Sequence, residues 1–156
     1  MVGLLHDNLK KSEPNDAITW EMLGRKKFMS SKPTSHLDFD TAGSKGIPRL
    51  SVVNLADVLD VPMKDMAILL NVSYKTLGRK KETDSLDTLA SSLSIEIADT
   101  ITKGLSVFED SDKFNRWLHK ENRALKGQAP FSMLNTPTGI KVVNRLLGRI
   151  EEGIYT

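Results

Sequence analysis

The stretch from Met63 to Lys81 reads MKDMAILLNVSYKTLGRKK and constrains the fold more than any other part of the chain. The small residue Ala67 allows a close approach of two helices, and Leu70 supplies an apolar plug at the end of the first one. Asn71 follows, and asparagine tolerates the left-handed backbone conformation of a tight turn. Ser73 is then placed to cap the next helix. This order of residues predicts a helix-turn-helix.

The second helix of this motif leaves a polar and basic face outward, because Leu77 packs inward. Donors near the start of such a helix can reach base edges in the major groove, and cations near its end can contact phosphates. Two short amphipathic helices with a turn also occur in proteins that never bind DNA, so the motif alone leaves both interpretations open. The candidate DNA-binding residues are Ser73, Tyr74, Lys75, Thr76, Arg79, Lys80 and Lys81.

The composition is typical of a soluble globular protein, with 39% apolar and 27% charged residues in a chain of 156. There is no cysteine, which excludes disulfides, thiolate metal sites and cysteine nucleophiles and is compatible with a reducing compartment. The first residues form too short an apolar run for a signal peptide, and no apolar run is long enough to span a membrane. We therefore expect a cytoplasmic protein without a membrane segment.

The pattern of reactive side chains argues against an enzyme. No glycine-rich phosphate loop follows a predicted strand, and none of the three histidines lies in a recognisable catalytic pattern. Glu151 and Glu152 are adjacent on a predicted helix, so their carboxylates diverge. We expect no catalytic residues and no cofactor. The net charge of only +2 means that any DNA binding must depend on the local cation cluster near Arg79.

The N-terminal part of the chain carries weaker signals. Residues 17–28 fit either a strand or a short helix, and the pattern does not decide between them. Residues 29–47 are rich in Ser, Thr, Pro and Gly, which predicts an exposed linker. His36, Asp38 and Asp40 are close together in that stretch, but a flexible segment lacks the fixed geometry that a metal ion requires. We therefore assign no metal site.

From Pro48 onward the pattern is helical. Ser51 is predicted to cap a helix that ends near Asp60 to Pro62. A longer helix is predicted to open near Ser85 and to run to about Phe108. Its apolar residues recur at helical spacing and predict a core-facing stripe: Leu86, Leu89, Ala90, Leu93, Ile97, Ile101 and Leu105.

The last third of the chain is predicted to contain two further helices. Ser111 or Asp112 can cap the first, and Thr136 followed by Pro137 can start the second, which stops at Gly153. At about 100° per residue the second helix has a wide apolar arc. That arc must dock on the chain's own core, on a second copy or on another partner, and the pattern does not choose. Its members are Ile140, Val142, Val143, Leu146, Leu147, Ile150 and Ile154.

A set of spaced residues between Phe114 and Tyr155 carries a family resemblance: Trp117, Leu118, Asn122, Ala124, Leu125, Gly127, Pro130, Leu134, Thr136, Gly139, Val143, Leu147, Ile150 and Gly153. This pattern resembles the C-terminal domain of the MbcA/ParS/Xre antitoxins. The spacing from Ala67 to Arg79 likewise resembles the helix-turn-helix of the lambda-repressor-like, or Xre, proteins. Many members of the antitoxin family carry a Ser-Asp-Arg motif at the start of the central helix, whereas residues 83–89 here contain no arginine.

The resemblance implies an all-α protein with an Xre-like helix-turn-helix, residues 47–108, followed by a helical toxin-binding domain, residues 109–156. Residues 1–46 lie outside the resemblance and are predicted to form a partly flexible N-terminal arm and a candidate dimerisation element. The implied function is that of an antitoxin in a type II toxin-antitoxin system. It would neutralise a RES-domain, NAD-degrading toxin encoded by the adjacent gene by covering the toxin's active site.

The implied regulation is repression of the chain's own operon by a homodimer that binds operator DNA within a larger toxin-antitoxin complex. The alternative is a stand-alone helix-turn-helix repressor without a toxin partner. The predicted toxin-binding residues are the charged and terminal ones of the last helix and tail: Arg145, Arg149, Glu151, Glu152, Tyr155 and Thr156.

Overall fold

The computed structural model describes residues 15–154, and eight α-helices lie within this range. They are α1 Asn15–Leu23, α2 Leu37–Lys45, α3 Arg49–Leu59, α4 Met63–Leu69, α5 Tyr74–Arg79, α6 Thr88–Phe108, α7 Ser111–His119 and α8 Pro137–Glu151. Short 3-10 helices cover Arg25–Lys27, Arg123–Leu125 and Pro130–Asn135. The predicted all-α fold class is confirmed.

Helix α6, with 21 residues, is the central element, and α1, α2, α7 and α8 all pack against it. The Asp87 side chain caps its start by accepting from the Ala90 backbone N–H at 2.8 Å. Hydrogen bonds between buried or partly buried side chains join two of these neighbours to α6. The Thr19 and Thr102 hydroxyls, 2.9 Å apart, join α1 to α6, and Asn144 Nδ2 donates to Thr100 Oγ1 at 3.0 Å, joining α8 to α6.

One apolar cluster links residues from all three predicted segments of the chain. Ile18 and Phe39 come from the N-terminal segment, Leu77 and Ile101 from the middle, and Val143 from the C-terminal segment. Each of these side chains is at most 2% exposed. The three segments therefore bury apolar surface together, while the exact limits of the predicted domains remain a prediction.

The predicted linker at residues 29–47 is wrong over Leu37–Lys45, where α2 forms. Phe39, only 1% exposed, provides the reason, because its ring stacks on Phe28 with centroids 6.1 Å apart and anchors the helix to the core. The polar composition of the stretch concealed this single anchor. Residues 17–28, left open between strand and helix, are helical in α1 and in the 3-10 turn that follows it.

Two helix starts differ from the prediction. Ser51 does not cap α3, which begins at Arg49; its hydroxyl is fully buried and donates to the Leu23 carbonyl. The cap of α7 is Asp110 rather than Ser111 or Asp112, because the Asp110 carboxylate reaches two free backbone N–H groups of the first turn.

Leu89 does not belong to the buried stripe of α6, since it is 84% exposed. Leu86 is buried but precedes the helix, so the helical period begins after it. The buried face then runs through Ala90, Ile97 and Ile101, and Leu89 lies about 100° away from Ala90 around the helix. The predicted stripe was therefore wrong at this residue.

The apolar arc of α8 docks mainly on the chain's own core. Ile140, Val143, Leu146 and Leu147 are buried, whereas Ile154, beyond the end of the helix, is 52% exposed. Gly153 ends the helix with a φ of +80°, as predicted. Among residues 15–154, no helix combines the length and apolar character needed to cross a bilayer.

Candidate DNA-binding and toxin-binding surfaces

The local geometry of the predicted turn between α4 and α5 is confirmed. Asn71 adopts the left-handed conformation with a φ of +56°, and the Val72 backbone N–H donates to the Ala67 carbonyl at 3.0 Å. Ala67 is only 1% exposed, as a close helix approach requires. Ser73 caps α5 by accepting from the Thr76 backbone N–H at 3.3 Å. The α4–turn–α5 unit thus has the conformation that its residue types favour.

The predicted DNA-binding side chains lie on α5 and directly beside its two ends, and Leu77 of the same helix is buried in the core. Tyr74 is 56% exposed. Lys80 differs from its neighbours because its Nζ donates to the Ser85 carbonyl at 3.1 Å, which ties it to the chain. The exposed members of the set are Ser73, Tyr74, Lys75, Thr76, Arg79 and Lys81.

Arg49 supports α5 from behind and was not singled out in the sequence. Its Nε donates to the Leu77 carbonyl at 2.9 Å, close to the end of the helix. Its backbone N–H also donates to the Asp84 carbonyl at 2.9 Å, which holds the segment after α5 against the start of α3. Arg49 and Leu77 are 28 residues apart in the sequence, so no local pattern predicts their contact.

The turn of the α4–turn–α5 unit contacts the C-terminal part of the chain directly. Asn71 Nδ2 donates to the Asn135 carbonyl at 3.1 Å, at the end of the 3-10 helix Pro130–Asn135. The contact places the start of α8, which follows at Pro137, close to the turn that precedes α5.

The predicted toxin-binding residues of α8 divide into two groups. Arg145, Arg149 and Glu152 are exposed and lie three or four positions apart, so they share one face. Glu151 is also exposed but lines a cavity of about 350 Å³ that Asn144 lines as well. Tyr155 and Thr156 lie outside the described residues.

A cluster of charged side chains that no sequence pattern predicted lines the same cavity. His36 Nδ1 is 3.1 Å from Asp16 Oδ1, and His36 Nε2 is 3.4 Å from Asp99 Oδ2. The hydrogen bond to Asp16 raises the pKa of His36, and burial raises the pKa of Asp99 to about 6. His36 was singled out with Asp38 and Asp40, but its partners come from distant parts of the chain.

Residues 103–153 match the sequence model described as the antitoxin Xre/MbcA/ParS C-terminal toxin-binding domain. The matched range begins within the second half of α6 and continues through α7 and α8. No curated protein matches the chain.

Proposed function

We propose, from the match of residues 103–153 to the antitoxin Xre/MbcA/ParS C-terminal toxin-binding domain, that this chain is a non-enzymatic antitoxin with two binding surfaces. One surface neutralises a RES-domain toxin that degrades NAD, by covering the toxin's active site. The other binds operator DNA as a homodimer and represses the operon. The single observation that carries the proposal is the match of the C-terminal segment to a toxin-binding domain.

The exposed face of α5 supports the proposal that the chain binds operator DNA. Lys75, Arg79 and Lys81 are exposed there, and cations that neutralise phosphates supply most of the affinity of such complexes. We assign Tyr74, Lys75 and Arg79 to base edges, and Lys75, Lys80 and Lys81 to phosphates. The anchoring of α5 by Ser73, Leu77 and Arg49 supports a fixed orientation in a groove.

The face of α8 formed by Arg145, Arg149 and Glu152 supports the proposal that the chain binds a toxin. The apolar side of the helix is already buried against the chain's own core, so the side that a partner can reach is charged. Opposite charges on a partner would orient the two proteins and speed their association. Tyr155 and Thr156 would extend the contact beyond the helix.

Arg79→Ala tests the DNA-binding surface. We expect operator affinity to fall by about 1–3 kcal/mol in a gel-shift assay at moderate salt, with toxin neutralisation unchanged. Lys120→Ala removes the same charge from an exposed site away from α5 and serves as the matched control. Equal binding by wild type and Arg79→Ala would remove Arg79 from the interface.

The double variant Arg145→Glu and Arg149→Glu tests the toxin-binding surface. In cells that produce the toxin, we expect NAD loss and growth arrest, while the purified variant still shifts operator DNA. Lys120→Glu and Lys126→Glu together make the same charge change at exposed residues outside α8 and serve as the control. Deletion of residues 153–156 tests the tail separately. Continued growth with the double variant would refute this assignment of the α8 face.

A further inference from the structure

The cluster of Asp16, His36 and Asp99 joins three separate elements. Asp16 lies in the first turn of α1, His36 immediately precedes α2, and Asp99 lies in the middle of the central helix α6. One ligand atom from each side chain can be chosen so that all three lie within 4.8 Å of one another. Imidazole and carboxylate groups gathered in this way from distant positions are the donor types that divalent transition metals use.

The position of His36 is fixed by its surroundings although its side chain is 67% exposed. Asp38 Oδ2 accepts from the backbone N–H groups of Thr34 at 2.8 Å and Ser35 at 3.3 Å, which holds the turn before α2. The imidazole also packs against the buried Phe39 ring, with centroids 5.5 Å apart. The turn and the ring contact together point the imidazole toward α1 and α6.

The two nitrogens of His36 have different roles in this geometry. Nδ1 lies within hydrogen-bonding distance of Asp16, at 3.1 Å, so a proton on Nδ1 leaves the Nε2 lone pair facing Asp99. Carboxylates commonly orient metal-binding histidines in this way. Two ligands that are each about 2.1 Å from a metal ion, at a tetrahedral angle, lie about 3.4 Å apart. The separation between His36 Nε2 and Asp99 Oδ2 is 3.4 Å.

We propose that His36 Nε2 and Asp99 Oδ2 bind a divalent transition-metal ion, with Asp16 as the positioning residue that holds His36 Nδ1. The remaining coordination positions open into the cavity of about 350 Å³ and take water. Glu151 of α8 and Lys103 of α6 line the same cavity. The bound ion links the turn before α2 to α6.

The ligand types select the class of metal. An imidazole nitrogen with a carboxylate suits Zn²⁺, Co²⁺ or Ni²⁺, whereas Mg²⁺ and Ca²⁺ prefer oxygen donors alone. With two protein ligands and several waters, the affinity should be modest. The chain has no cysteine, and its other histidines are His6 and His119, so competing sites are few.

The direct test is calorimetric titration of the tag-free full chain with Zn²⁺ at slightly alkaline pH, repeated with Co²⁺ to follow the visible absorption of the bound ion. We expect one saturable site, and a rise in the midpoint of thermal unfolding with Zn²⁺ but not with Mg²⁺. His36→Gln and Asp99→Asn should abolish the site. Asp16→Asn keeps both ligands and should weaken binding about 10-fold.

Two controls separate this site from adventitious binding. His119→Gln removes a histidine outside the cluster, and Asp40→Asn removes a carboxylate of α2 that is not part of it; both should bind Zn²⁺ like the wild type. If Asp99→Asn does not fold, His36→Gln still decides, because His36 is exposed. Absence of saturable Zn²⁺ binding by the folded wild type would overturn the proposal and leave a histidine paired with two carboxylates. Undiminished binding by His36→Gln would also overturn it.

Discussion

Asn71 is the residue on which the shape of the α4–turn–α5 unit depends. It is not a glycine, yet its φ of +56° lies in the left-handed region, where most L-residues are destabilised by contact between Cβ and the backbone. Its side chain also reaches the Asn135 carbonyl, so it both forms the turn and attaches it to the C-terminal segment.

Replacing Asn71 separates these two roles. Asn71→Ala and Asn71→Gly both lose the hydrogen bond to Asn135, but only alanine has a Cβ that destabilises the left-handed conformation. We expect the alanine variant to have a free energy of unfolding about 1 kcal/mol lower than that of the glycine variant, measured by urea denaturation. Equal stabilities, or a more stable alanine variant, would contradict the left-handed turn.

Asp110 gives a pH dependence whose sign follows from its contacts. Its carboxylate accepts from the backbone N–H groups of Lys113 at 3.0 Å and Asp112 at 2.8 Å, which lowers its pKa in the folded chain. A folded-state pKa below the unfolded one stabilises the fold above the unfolded pKa, and this stabilisation is lost as pH falls through the folded pKa.

Asp110→Asn should therefore lower the thermal midpoint near neutral pH, because asparagine can cap α7 but carries no charge for the helix N-terminus. Below the folded pKa of Asp110 the wild type is neutral at this site too, so the two midpoints should converge. Calorimetric scans at neutral and strongly acidic pH make the comparison. If the two thermal midpoints differ by the same amount at both pH values, the charge of Asp110 is not what stabilises α7.

At the scale of the elements, the start of α8 is the most tightly constrained part of the C-terminal segment. The Thr136 side chain accepts from the Gly139 backbone N–H at 3.0 Å, and a Cβ on Gly139 would collide with the Met133 backbone carbonyl. The 3-10 helix before α8 can therefore approach it only because residue 139 has no side chain.

A pair of glycine substitutions on α8 tests this. Gly139→Ala should lower the free energy of unfolding by about 1–3 kcal/mol through overpacking against backbone. Gly148→Ala on the same helix is the matched control: its nearest neighbour would be the flexible end of Lys103, at 3.6 Å, so it should be neutral or stabilising. Urea denaturation measures both, and similar effects of the two substitutions would contradict this packing.

Across the whole molecule, the sequence predicted the features that depend on interactions between neighbouring residues and missed those that depend on distant ones. The turn at Asn71, the Ser73 and Thr136 caps and the stop at Gly153 each depend on interactions over a few residues, and all were predicted correctly. The contact of Arg49 with α5 spans 28 residues and no periodicity encodes it.

The same limit applies to the missed element and the missed cluster. Helix α2 forms because Phe39 finds a core built from other helices, which its polar neighbours do not reveal. His36 gains its partners only when α1 and α6 pack beside it, so its two sequence neighbours Asp38 and Asp40 were misleading. Tertiary packing decided both outcomes.

We propose that one chain carries both a toxin-binding surface and a DNA-binding surface. Co-expression with the product of the adjacent gene, followed by purification, sizing and measurement of cellular NAD, tests it most directly. We expect a stable complex between this chain and a RES-domain protein, with NAD preserved only when this chain is present. A chain that elutes alone, as a dimer that shifts DNA while NAD is unaffected by its presence, would contradict the antitoxin function and indicate a stand-alone repressor.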